Sequence, residues 1–126
     1  VTFYERAEEL APGALEPRLG LMLPLMAAQR WKKAETLARG ILKKAPHDYL
    51  ATSRLAFILY SQGRYKDAET VYRAVLTNYP SDIDMMLGLG WTYVKQGRTV
   101  DARGAFHKVL SIKRENVNAR AGLQAL

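Results

Sequence analysis

Residues 49–82 read YLATSRLAFILYSQGRYKDAETVYRAVLTNYPSD, and the rest of the chain repeats this pattern. Tyr49 to Ser61 is mostly good helix former, Gln62-Gly63-Arg64 interrupts it, and Tyr65 to Asn78 resumes helical character. Glycine suits the left-handed position that closes many helices. Tyr79-Pro80 stops the second helix, because proline lacks the donor a helix interior needs, and Ser81 or Asp82 can cap the next one. A step of 34 residues recovers the same features elsewhere. Asp67-Ala68-Glu69-Thr70 returns as Lys33-Ala34-Glu35-Thr36, with Ala102 in the third position of that alanine column. Pro46 maps to Pro80, Gly63 to Gly97, Leu21 to Leu55 to Leu89, and Ile41 to Val75 to Val109. No insertion or deletion interrupts the register. A fixed period in this range is the signature of stacked supersecondary units.

The chain therefore divides into an incomplete copy at 1–14, full copies at 15–48, 49–82 and 83–116, and the start of another at 117–126, all within one domain. The step predicts eight helices, near 3–11, 16–28, 31–44, 49–61, 65–78, 83–95, 99–112 and 117–126. No run alternates at period two, so no sheet is expected and the class is all-α. One helical hairpin cannot bury its apolar face alone, so successive hairpins must stack.

The second copy carries Leu55, Ala56, Leu59, Gly63, Tyr65, Ala68, Tyr72, Val75 and Pro80, and the third carries Leu89, Gly90, Tyr93, Gly97, Ala102, Phe106 and Val109. In residue types and spacing this resembles the tetratricopeptide repeat family over essentially the full length. The resemblance implies a right-handed solenoid of antiparallel hairpins whose first helices line a concave groove. In it Ala56 or Gly90, and Ala68 or Ala102, let helices approach closely, while Tyr72 and Phe106 fill the space between hairpins. The first copy departs from the pattern: Met22 stands for the expected small residue and Ala38 for the expected aromatic. Pro24 falls inside a first helix, where it costs ~3 kcal/mol and either bends the helix or requires neighbours to hold it. Arg114 replaces the proline after the third full copy, so the 99–112 helix is free to run on or to turn less sharply.

Composition narrows the chemistry. The 126 residues are 48% hydrophobic and 25% charged, with no cysteine and two histidines. Disulfides, thiolate catalysis and cysteine zinc motifs are excluded, and a histidine cage is disfavoured, so no metal or cofactor is expected. No uncharged stretch reaches the ~20 residues of a transmembrane helix. Val1 in place of Met points to a trimmed start and Leu126 stops inside a helix, so the segment reads as part of a longer protein, cytoplasmic or periplasmic. No catalytic constellation emerges. Ser53, Ser61, Ser81 and Ser111 lack a local base, His47 lies in a turn beside Asp48, and a solvated surface position accounts for His107. Asp82 and Asp84 flank a helix start and read as cap and dipole partners. The chain is read as a binding protein, not an enzyme.

The first helix of each copy is apolar on two sides. At 100° per residue, Phe57, Leu50 and Tyr60 oppose Leu55 and Leu59. Trp91, Leu87 and Val94 likewise oppose Leu89 and Tyr93, and Leu23, Leu19 and Met26 oppose Leu21 and Leu25. The family resemblance places this second stripe in the groove, bordered by Ser53, Arg54 and Lys95, with Asn118 and Glu16 beyond. Packing between adjacent first helices competes for the aliphatic members, less so for Phe57, Tyr60 and Trp91. The expected ligand is a peptide or helix of a partner protein with apolar anchors. The lysine, arginine and asparagine clamp of some family members has only Arg54 to offer here. The net charge of +7 comes largely from Lys32, Lys33, Arg39, Lys43, Lys44, Arg73, Arg103 and Lys108, all on second helices. Those residues and the groove aromatics fall on different faces, which disfavours nucleic acid or an anionic membrane. Self-association through exposed helix faces is the remaining alternative.

Overall fold

The computed structural model describes residues 17–126, with side chains from Gly20 onward. Among the described residues there are seven α-helices and no strand: α1 (Pro17–Ala27), α2 (Trp31–Lys44), α3 (Tyr49–Ser61), α4 (Tyr65–Asn78), α5 (Ile83–Lys95), α6 (Thr99–Ile112) and α7 (Val117–Gln124). From α2 to α6 every boundary falls where the 34-residue step predicts it. The predicted helix at 3–11, the partial copy at 1–14 and Glu16 lie outside the described residues.

Local chemistry sets these boundaries. Asp48, Asp82 and Asn116 precede α3, α5 and α7, and each side chain accepts a hydrogen bond from the backbone N–H three residues on, at 2.8, 3.1 and 2.9 Å. Removing such a cap costs about 1 kcal/mol. Helices α1, α3 and α5 close through a left-handed residue: Gln29 at φ 58°, Gly63 at 78° and Gly97 at 73°. Arg30, Arg64 and Arg98 then donate back to Leu25, Leu59 and Tyr93 at 2.8, 3.0 and 2.9 Å, using carbonyls the helix leaves open. Gln29 makes the same turn without glycine's freedom, which L-residues adopt only at a cost.

Both departures noted in the sequence are accommodated. Helix α1 continues through Pro24, which is exposed, and the Pro24 carbonyl still accepts from Ala28 N–H at 3.0 Å. Fully buried Met22 and the packed side chains of Leu25 and Met26 hold α1 against its neighbours. Helix α6 does not run on past Ile112, because the chain turns and Asn116 caps α7.

Consecutive helices from α1 to α7 pack against one another, giving a solenoid of hairpins. The first helices α1, α3, α5 and α7 also touch one another in sequence, whereas α2, α4 and α6 do not. The first helices therefore lie on the inside of the curve and the second helices on the outside. All eight basic residues assigned to the outer face are exposed.

Between hairpins the core is built from rings seated on glycines. Phe106 is fully buried. A Cβ at Gly90 would stand 2.6 Å from its ring, and one at Gly122 only 2.4 Å. Tyr72 crosses in the same way to Gly88, where a Cβ would lie 2.4 Å from the ring. A second device recurs at two successive junctions. Glu35 on α2 accepts from Gln62 at 3.0 Å and Arg64 at 2.8 Å, and Glu69 on α4 accepts from Gln96 at 3.1 Å and Arg98 at 2.7 Å. Burial disfavours the Glu35 charge, but hydrogen bonds from Gln62, Arg39 and Arg64 outweigh it and bring the carboxyl from its ordinary 4.5 to about 2. Nothing in the sequence pattern marked these clamps, although both acids belong to the repeated tetrad.

Candidate functional site

The inner surface is organised by one column of the repeat. Leu23, Phe57 and Trp91 stand at steps of 34 on α1, α3 and α5. Leu23 is 53% exposed and Phe57 46%, although both are large apolar groups. Phe57 is braced rather than loose. Its ring meets Trp31 edge-on at 5.9 Å and lies nearly parallel to Tyr60 at 6.5 Å, and Tyr60 in turn packs edge-on against Tyr65 at 5.4 Å. Trp91 packs edge-on against Phe106 at 5.3 Å and donates from Nε1 to Asn118 Oδ1 at 2.8 Å, tying α5 to α7.

Between these rings opens a cavity of about 290 Å³. Its walls are Phe57 and Tyr60 of α3, and Met85, Leu87, Gly88 and Trp91 of α5. Tyr72 reaches in from α4, while Asp84 and Asn118 stand at the first turns of α5 and α7. The volume sits at the lower edge of the ~300–1,000 Å³ range of ligand sites and suits one long side chain. Burial pushes the Tyr72 phenol well above its ordinary range, and the nearby Tyr60 adds to the shift, so the hydroxyl keeps its proton.

The residues read from the sequence as groove members divide into three groups. Phe57, Tyr60, Leu87 and Trp91 line the cavity, with Leu87 itself only 7% exposed. Leu23 and Leu50 are exposed on the same helix series, and Lys95 is exposed at the end of α5. Met26 and Val94 pack against the core, and the Ser53 hydroxyl donates to the Leu50 carbonyl at 3.1 Å within α3. Arg54 is partly buried beside Leu55 and does not line the cavity. The Leu19 side chain lies outside the described residues. Tyr72, Asp84, Met85 and Gly88 were missed as cavity residues. Tyr72 reaches the inner surface only because Gly88 has no side chain, a coincidence spanning two helices.

A tetratricopeptide repeat model matches residues 25–85 and 59–126 of the chain. No curated protein matches it. Among solved structures, MamA from Desulfovibrio magneticus RS-1 is similar with a TM-score of 0.87 at 21% identity, covering 97% of this chain and 69% of that one. A tetratricopeptide repeat protein from Parabacteroides merdae gives 0.85 at 18% identity, covering 97% of this chain and 49% of that one. The first such domain of Spaghetti (RPAP3), solved bound to an HSP90 peptide, gives 0.80 at 12% identity and 85% coverage of both chains. No helix among the described residues is long and apolar enough to cross a membrane.

Proposed function

The chain belongs to the tetratricopeptide repeat family, whose fold is a protein–protein interaction scaffold, and from that premise we propose that its inner surface binds an extended segment of a partner protein. The observation that carries this reading is the Leu23, Phe57 and Trp91 column of large apolar side chains on the inside of the curve, with Phe57 and Trp91 lining an open cavity. Exposed apolar side chains scattered singly are ordinary, but aromatic rings gathered at a concave surface mark an interaction site and dominate partner affinity. A similar fold in RPAP3 was solved holding a peptide, which supports the mode and not the ligand. Binding through the inner surface also leaves the basic outer face in solvent. The domain then acts by holding a partner, with no chemistry of its own.

Selection of a displayed random-peptide library on the domain tests this. Peptides that share a large apolar residue should emerge, and Phe57→Asp should abolish their binding while far-UV circular dichroism stays unchanged. Phe57 is the better target because Trp91 also supports Phe106 and Asn118. Selected peptides that bind Phe57→Asp as well as the parent would place the site elsewhere.

A further inference from the structure

The cavity described above is lined by four aromatic rings, yet its polar groups are arranged for more than an apolar guest. Tyr72 is 3% exposed, and its hydroxyl makes no hydrogen bond with any described residue. No fully buried side-chain polar atom among the described residues lacks a partner, so this hydroxyl must reach open space. The opening its side chain lines is this cavity. Asp84 stands on the same wall in the first turn of α5 and enters no ion pair among the described residues. Phe106, the equivalent of Tyr72 one repeat later, has no hydroxyl and is sealed between glycines. The polar end is thus particular to the junction that opens.

Resting on the reading of this groove as a peptide site, we propose that the cavity receives an arginine side chain of the partner segment, its guanidinium laid against the aromatic walls and donating to Asp84 and the Tyr72 hydroxyl. An aliphatic guest would cover the buried Tyr72 hydroxyl without giving it a partner, and would gain nothing from the exposed Asp84 carboxylate at the cavity's edge. A carboxylate guest would face Asp84 directly. Guanidinium is planar, weakly hydrated and rich in donors, so it stacks on rings and satisfies several acceptors at once, whereas an ammonium is a strongly hydrated point charge. The net charge of +7 opposes a cationic guest only at long range. Screening over ~8 Å at physiological salt limits that opposition; eight of the basic groups lie on the outer face, and Arg54 and Lys95 of the first helices do not line the cavity.

The test is a titration of the labelled domain with blocked pentapeptides carrying a central arginine, lysine or norleucine, read at the Trp91 Nε1–H resonance. The arginine peptide should bind ~10-fold more tightly than norleucine, and Asp84→Asn should remove that gap. Tyr72→Phe, which keeps the ring on Gly88, should weaken arginine binding ~3-fold and leave norleucine unchanged. Melting curves of both variants check that the fold persists. Norleucine or lysine binding as tightly as arginine, or an arginine preference that survives Asp84→Asn, overturns the guanidinium assignment and leaves the groove reading standing. No shift with any peptide at millimolar concentration overturns both.

Discussion

At the junction of α1 and α2 with α3, the 34-residue step aligns Met22, Ala38 and Arg54. One repeat later they are Ala56, Tyr72 and Gly88, and one later again Gly90, Phe106 and Gly122. The second and third sets place a ring on the second helix between two small residues. The first set inverts this, with a small residue on the second helix and large side chains on both first helices. Met22 and Ala38 are fully buried, as are Ala56 and Phe106, so both arrangements fill their space. What differs between copies is which helix supplies the volume: the second helix at two junctions, and the two first helices at the other. Interiors packed at crystal density tolerate such exchanges only when all members change together.

The comparison can be broken most severely at its third member. Phe106→Ala gives that junction the alanine of the first without the methionine and arginine that accompany it there. A loss of about 3–5 kcal/mol is expected by urea unfolding. Ala38→Tyr makes the opposite exchange and should cost about 1–3 kcal/mol by overpacking against Met22 and Arg54. Adding Met22→Ala and Arg54→Gly should recover most of that loss, and strictly additive changes would disprove the volume argument.

The first two full copies agree at their clamps, whereas the third has Arg103 in place of the acid, and acid titration sharpens that agreement. Glu35 titrates at about 2 when folded against an ordinary 4.5. Its contribution is therefore fully present above pH 4.5 and lost as pH falls through about 2. Glu35→Gln should be less stable than the parent near neutral pH, with the difference narrowing across that window in thermal melts. The smallest change concerns the turns. Gln29→Gly gives the first copy the residue that Gly63 and Gly97 supply to the others, and should raise stability by about 0.5–1 kcal/mol in the same melts.

Much of this was legible in the sequence because the repeat corrects local ambiguity. A helix end that is uncertain once is fixed when Gly63 and Gly97, or Asp48, Asp82 and Asn116, occupy equivalent places. The second apolar stripe was legible for the same reason, through Phe57 and Trp91. What stayed hidden depends on the distance between helices. Leu87 and Val94 share a helical face, but only the approach of α3, α5 and α7 decides that one lines a cavity and the other packs in the core. The Glu35 and Glu69 clamps join residues 27 and 29 positions apart, beyond any local pattern. The Tyr72 hydroxyl reaches the inner surface by way of a missing side chain, a void no residue code states directly.

The uneven contact between helix series has a mechanical consequence. First helices touch one another and second helices do not, so the inner edge resists compression while the outer edge can spread. Flexing of the solenoid therefore pivots about the first helices, much as a beam bends about its neutral axis. A segment lying along Leu23, Phe57 and Trp91 rests on that axis, where bending changes distances least. The outer face absorbs the strain, so the proposed grip on a partner segment would be held at nearly constant length.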